Sequence, residues 1–245
     1  MSLSTLPYVP LIHIIEYLGI YDRRNLVKAN PKLARIVNEA PIYLREVVVT
    51  KNGTLEKVAE ILTHRRSRIG TMRMENLTSL PSSMKINHLI IESFDSMPQL
   101  FDLLKNIDSM DLCSLHILEH PFNPTNEVFN IFRHIKNLKS IRIGVPCDIN
   151  DSQLVQLEAI DIQLQYTSVT VVGLNRIIKK WIHRTIESRR IELTSRSRFD
   201  LHRLLNGLQY NQKDERILEF DIVQGGNLRI YEFPEDREFR YCFIM

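Results

Sequence analysis

At 245 residues, with 44% hydrophobic and 25% charged residues and a formal net charge of +3, the chain has the balance of an ordinary globular protein with a substantial core. So small a net charge excludes a global field that would draw nucleic acid or an anionic membrane. No apolar run approaches the roughly 18 residues of a membrane-spanning helix, and 8 glycines are few for phosphate-cradling loops.

The first forty residues differ from the rest of the chain. From Pro10 to Leu18 the apolar residues Leu11, Ile14, Ile15 and Leu18 recur at helical spacing, and Pro10 suits a first turn, where its missing N–H costs nothing. Gly19 reads as a stop, and a second short helix carrying Leu26 is expected after Asp22, an N-cap residue type. Pro31 breaks the pattern before a third apolar stripe of Leu33, Ile36 and Val37. Three helices of this size bury little apolar surface, so the module is expected to lean on a partner or on the domain C-terminal to it.

The run from Leu6 and Pro7 through Leu11, Ile14, Ile15, Tyr17 and Leu18, with Asp22 and Leu26 beyond it, resembles an F-box. That family shows Leu-Pro, a run of aliphatics, Tyr-Leu and an Asp about four residues later. The resemblance covers residues 1–42 and implies a helical module that docks a Skp-family adaptor and, through it, a cullin. It implies that Leu6, Pro7, Leu11, Ile14, Ile15, Leu18 and Leu26 contact the adaptor or shape that surface. Leu33 stands where many F-boxes carry Trp, and Asn30-Pro31 replaces the usual Val-Cys-Lys.

Over residues 43–245 a short alternating apolar motif returns: Arg45–Val49, Met72–Met74, His88–Ile91, Ser114–Ile117, Ser140–Ile143, Ala159–Ile162, Arg190–Leu193 and Glu219–Ile222. The spacing, mostly near about 25 residues, is in the range of leucine-rich-type repeats. Between the motifs lie helical segments: one capped by Thr54 (Leu55, Val58, Ala59, Leu62), one opened by Ser96-Met97-Pro98, and one by Asn123-Pro124 (Val128, Ile131, Phe132, Ile135). Another runs from Leu174 to about Ile186, and a last one comes after a capping box of Ser197 and Asp200, ending at Gly207. Strand, helix and strand at this period predict an α/β fold: an irregular leucine-rich-repeat-like solenoid of parallel strands with helices on the convex side and the strand face free for a partner. A doubly wound α/β domain is the structural alternative. Leu174–Ile182, Arg190–Leu193, Leu204–Leu208 and the terminal Arg240-Tyr241-Cys242-Phe243 are similar to the F-box-associated region of the expanded nematode F-box families, thought to recruit targets.

The polar side of the Leu174 helix (Arg176, Lys179, Lys180, His183, Arg184) could meet phosphates or a membrane, though a solvated face is the commoner use of such a pattern. Cys113, His116 and His120 offer three zinc-ligand types without the fourth that a structural site wants. No GxSxG, P-loop, HExxH or GxGxxG occurs, so no enzyme activity, cofactor or metal is expected. The three cysteines form no disulfide framework, and with no signal-peptide pattern a cytoplasmic or nuclear protein is expected. The residues Cys242-Phe243-Ile244-Met245 fit a prenylation motif with Cys242 as lipid acceptor, which would give weak membrane association; the alternation of Phe239, Tyr241, Phe243 and Met245 fits a terminal strand instead. Together these features point to a substrate-recognition subunit of an SCF-type ubiquitin ligase with an unknown protein substrate. The alternatives are a scaffold or decoy repeat protein whose cap no longer binds the adaptor, or a basic-helix binder of nucleic acid or membrane.

Overall fold

A computed structural model describes residues 7–50, 67–75, 80, 84–108, 110–118, 132, 135, 138–147, 149–165, 167–183, 189–195, 198–214, 216–221, 227–235 and 238–244. The chain is α/β, with an eleven-stranded, mostly parallel sheet preceded by short helices. No helix among the described residues is long and apolar enough to cross a membrane.

Three helices come first: α1 (Tyr8–Glu16), α2 (Ile20–Ala29) and α3 (Ala34–Glu39), the last entered through a 3-10 turn at Pro31–Leu33. Pro10 lies in the first turn of α1, as its missing donor requires. The second helix starts earlier than Asp22 suggests: Gly19 is its N-cap, and Asp22 sits in the first turn, where its charge suits the positive helix end. Leu11, Ile15, Leu33, Val37 and Ala40 close a small core of their own, with Ile12, Leu18, Leu26, Val27 and Ile36 packed around it.

The sheet order is β1 to β7 in sequence, then β11, β10, β9 and β8. Strands β1 (Tyr43–Val49), β2 (Arg68–Met74), β3 (Lys85–Ile91), β4 (Ser114–Ile117), β5 (Ser140–Pro146), β6 (Asp161–Gln165) and β7 (Arg190–Ser195) are parallel, neighbour to neighbour. Each of the first seven expected motifs falls on or overlaps one of them; of the eighth, Glu219, Phe220 and Asp221 fall on β9 (Ile217–Asp221) and Ile222 lies outside the described residues. The expectation of parallel strands to the end of the chain fails after β7. Strands β8 (Asn211–Asp214), β9, β10 (Asn227–Glu235) and β11 (Glu238–Ile244) are antiparallel, and β11 pairs antiparallel with β7. The reason is link length: β10 and β11 are joined by two residues, enough for a hairpin and far too few for a parallel crossover.

Helices α4 (Met97–Lys105), α5 (Asp151–Val155), α6 (Val171–Ile182) and α7 (Leu201–Leu204) lie between successive strands in the chain. The expected helix after Thr54 and most of the one after Asn123-Pro124 lie outside the described residues; of the latter, Ile135 is buried and Phe132 packs against the core. Asp200 itself caps α7, accepting from the backbone N–H of His202 and Arg203, so the capping-box role expected of Ser197 is not needed; Ser197 lies outside the described residues. Gly207 comes next at φ 70°, a conformation that favours glycine.

The strand register explains why one face is core. Val47, Met72, Leu89, Leu115, Ile141, Ile162, Ile191, Phe243, Ile230 and Leu218 stand side by side across ten strands, all buried. A second row runs Val49, Met74, Ile91, Ile117, Ile143, Leu164, Leu193 and Tyr241. Leu100 and Leu103 of α4, Leu154 of α5, Leu174, Ile177, Ile178 and Trp181 of α6, and Leu204 of α7 belong to the same hydrophobic cluster. Alternation turns the residues between these two rows, among them Val48, Arg73 and Arg142, to the opposite face, while near the starts of β2 and β3 Ile69 and Ile86 break the alternation and join the core.

Candidate interaction surfaces

The helical module divides the residues that the F-box resemblance names. Leu11 and Ile15 are buried in its core, Leu18 and Leu26 are half-buried beside it, and Pro7 and Ile14 are exposed; Leu6 lies outside the described residues. Outward on α1 stand Pro10, Ile14 and Tyr17, spaced four and three apart, with Val9 beside them at 63% exposure and Tyr21 of α2 at 79%. Val9, Tyr17 and Tyr21 were not singled out as surface residues in the sequence, although the helical period that buries Leu11 and Ile15 also turns Pro10, Ile14 and Tyr17 away from them. The Tyr17 ring lies 5.9 Å from that of Tyr43 and ties the end of α1 to β1.

Arg23 holds the module together from inside. It is 5% exposed and donates to the carbonyl oxygens of Leu18 (3.0 Å), Glu16 (3.2 Å), Ala40 (3.0 Å) and Pro41. These carbonyls lie just past or at the ends of α1 and α3, where backbone acceptors are left over and a cation suits the negative helix end. Burial pulls its affinity for protons down, but an arginine remains charged at any physiological pH.

The second surface is the strand face opposite the core. Its two central rows run Glu46, Thr71, His88, Ser114, Ser140, Asp161, Arg190 and Val48, Arg73, Ile90, His116, Arg142, Gln163, Glu192, Cys242. Val48, Arg73, His88 and Arg142 are exposed on it. Arg73 pairs with Glu92, and Arg190 joins Glu192 at 2.6 Å and Asp161 at 4.0 Å. The His116 ring is near Ser140 Oγ (3.5 Å), and burial first, then the neighbouring Arg142 charge, lowers its pKa, so it is neutral at pH 7. His116 and Cys113, the two described residues of the zinc-like triplet, turn to different partners: the Cys113 thiol donates toward the carbonyl of Asp111. His120 lies outside the described residues.

Cys242 is buried in β11, between Glu192 of β7 and Tyr231 of β10 in the register, and burial raises its thiol pKa. The terminal-strand reading of this alternation is the one the fold adopts. A lipid on Cys242 would require β11 to leave the sheet.

On α6 the apolar residues Leu174, Ile177, Ile178 and Trp181 are buried, Arg176 and His183 are exposed, and Arg184 lies outside the described residues. Asn175 is also buried, and its amide donates to the carbonyls of Leu204 (2.7 Å) and Asn206 (3.0 Å), satisfying the end of α7. Beyond α7 lies a cleft of about 190 Å³ lined by Leu201, Leu205, Tyr210, Leu218, Ile230, Glu232 and Tyr241 among others. Glu232 takes the place that an apolar residue holds in the other strands of its row. It accepts from Arg198 Nε (2.7 Å) and Nη2 (2.9 Å) and from the Tyr241 hydroxyl (3.3 Å), which itself accepts from the Phe199 N–H (2.8 Å).

Desolvation by burial, the largest cause, pushes the Tyr241 pKa up to about 12. Below pH 10 the phenol is protonated in both folded and unfolded chains, so its contribution is fully present. Between pH 10 and about 12 the unfolded chain releases the proton first, so stability falls as pH rises through that window. Denaturant titrations at pH 8 and pH 11 should differ by about 1.4 kcal/mol more for the native chain than for Tyr241→Phe, because pH 11 lies one unit above the pKa of the unfolded phenol. Equal losses in both would remove Tyr241 as the cause.

No family model matches the chain, and no curated protein or solved structure does.

Proposed function

We propose that the chain is a substrate-recruiting subunit of an SCF-type cullin-RING ubiquitin ligase, working in the cytoplasm or nucleus. The N-terminal module, read as a three-helix F-box, docks a Skp-family adaptor. The parallel array, read as a leucine-rich-like solenoid, presents its outward strand face to a protein target. Ubiquitin transfer then results from proximity: the target is held near a charged enzyme elsewhere in the assembly, and this chain supplies position rather than chemistry.

The observation that carries the reading is the apolar stripe of Pro10, Ile14 and Tyr17, with Val9 and Tyr21, exposed on a module whose sequence resembles an F-box. Exposed apolar side chains in this number on so small a unit mark an interaction site. Ile14→Asp tests it without touching the Leu11 and Ile15 core. Co-purification with a Skp-family adaptor should fall by about thirtyfold or more, the loss of about 2 kcal/mol expected of an interface hot spot, while far-UV circular dichroism is unchanged. Undiminished adaptor binding by the folded variant would sink the assignment.

A further inference from the structure

The outward strand face is uneven in charge. On one side Arg73 is matched by Glu92. On the other, Asp161, Arg190, Glu192 and Arg240 alternate in sign and contact one another from β6 through β7 to β11, with Arg240 Nη1 3.7 Å from Glu192. The second block carries as many anions as cations, and on the first side Glu46 of β1 adds a further carboxylate two strands from β3. Between them, on β3, β4 and β5, stand His88, Ser114 and Ser140 in one register row and Ile90, His116 and Arg142 in the next. That stretch contains one full charge, the exposed Arg142, which has no ion-pair partner among the described residues. The bordering carboxylate, Asp161, lies one strand further on and is in charge contact with Arg190.

Around that guanidinium the face is rich in donors and poor in acceptors of negative charge. Ser140 offers a hydroxyl, and the imidazoles of His88 and His116 can each present an N–H. Strands lie about 4.8 Å apart, so His88 to Arg142 spans roughly 10 Å across the sheet. An extended peptide crossing the strands covers that distance in about three residues. The guanidinium fork matches a carboxylate in geometry as well as charge.

We propose that the His88–His116–Arg142 stretch binds an acidic segment of a protein partner, laid across β3 to β5. One carboxylate sits on Arg142 and a second, two or three residues away, takes hydrogen bonds from the His88 side of the patch. This rests on the reading of the strand face as the target-recruiting surface and names the chemistry of the target segment.

Fluorescence anisotropy of a labelled peptide of alternating glutamate and serine, titrated with the full chain, tests the proposal; a lysine–serine peptide is the control. The glutamate peptide should bind and the lysine peptide should not. Arg142→Glu, a change at an exposed side chain, should weaken binding roughly tenfold or more by reversing the cation at the centre of the patch. Arg216→Glu, at an exposed residue that lines the cleft beyond α7, should leave binding unchanged. Equal binding by native chain and Arg142→Glu, equal loss in both variants, or complete displacement of the peptide by millimolar phosphate would each overturn the proposal. Adaptor capture by the α1 stripe is read out separately, so failure there leaves this result interpretable and the reverse also holds.

Discussion

Arg23→Ala is expected to unfold the N-terminal module while the eleven-stranded sheet stays folded. The side chain donates to four carbonyls that terminate α1 and α3, and no other described side chain is bonded to them. A buried acceptor stripped of its donor costs about 1–3 kcal/mol, and water entering the gap would recover part of that. A net loss of about 3 kcal/mol is therefore expected, against a module whose core is five buried residues and whose own stability is only a few kcal/mol. Limited proteolysis should cut between residues 8 and 40 at rates far above those of the native chain, with the sheet fragment persisting. Arg23→Lys should rescue little, because one ammonium cannot reach carbonyls on two helix ends. Native-like resistance of the alanine variant would show that solvent replaces the guanidinium at small cost.

The second large effect is expected in the main core. Trp181 is fully buried on α6, with its ring 6.1 Å from that of Phe243 on β11, so it joins a helix to the last strand. Trp181→Ala should cost about 3–5 kcal/mol, as large aromatic truncations in close-packed cores do. Trp181→Phe should cost much less. The indole Nε1 is buried without a hydrogen-bond partner among the described residues, so the phenyl ring gives up area and no bond. Urea unfolding of the two variants, with the slope of the transition held constant, measures both losses. Similar losses for Phe and Ala would mean that the indole makes a bond the cavity hides.

These two residues also mark what was and was not legible in the amino-acid sequence. Apolar alternation located β1 to β7 because each strand lends residues to the same buried rows, and helical spacing located α4 and α6 for the same reason. Strand β8, Asn211–Asp214, has no apolar alternation at all; it exists as an exposed edge paired with β9. Strand β10 contains Pro234, which argues against a strand from composition alone. It is tolerated because the pairing with β9 stops at Tyr231, three residues before the missing N–H would matter on that side. Buried ions are harder still. Arg23 and Glu232 look like surface residues until tertiary contacts bring two helix ends to one and Arg198 with Tyr241 to the other. At the docking surface, the family resemblance named Leu11, Ile14 and Ile15 alike, and only the packing of α1 on α3 sorts the inward pair from the outward one.

The position of β11 bears on how the protein is made. It lies inside the sheet, between β7 and β10, so β8, β9 and β10 reach the parallel strands only through it. A ribosome delivers the chain at about 5–20 residues per second, and every strand from β1 to β10 emerges before residues 238–244 do. Until then β7 has an open edge carrying Ile191 and Leu193, the kind of edge that recruits other chains. Pairing of β11 with β7 closes that edge and brings the β8–β10 strands onto the parallel ones.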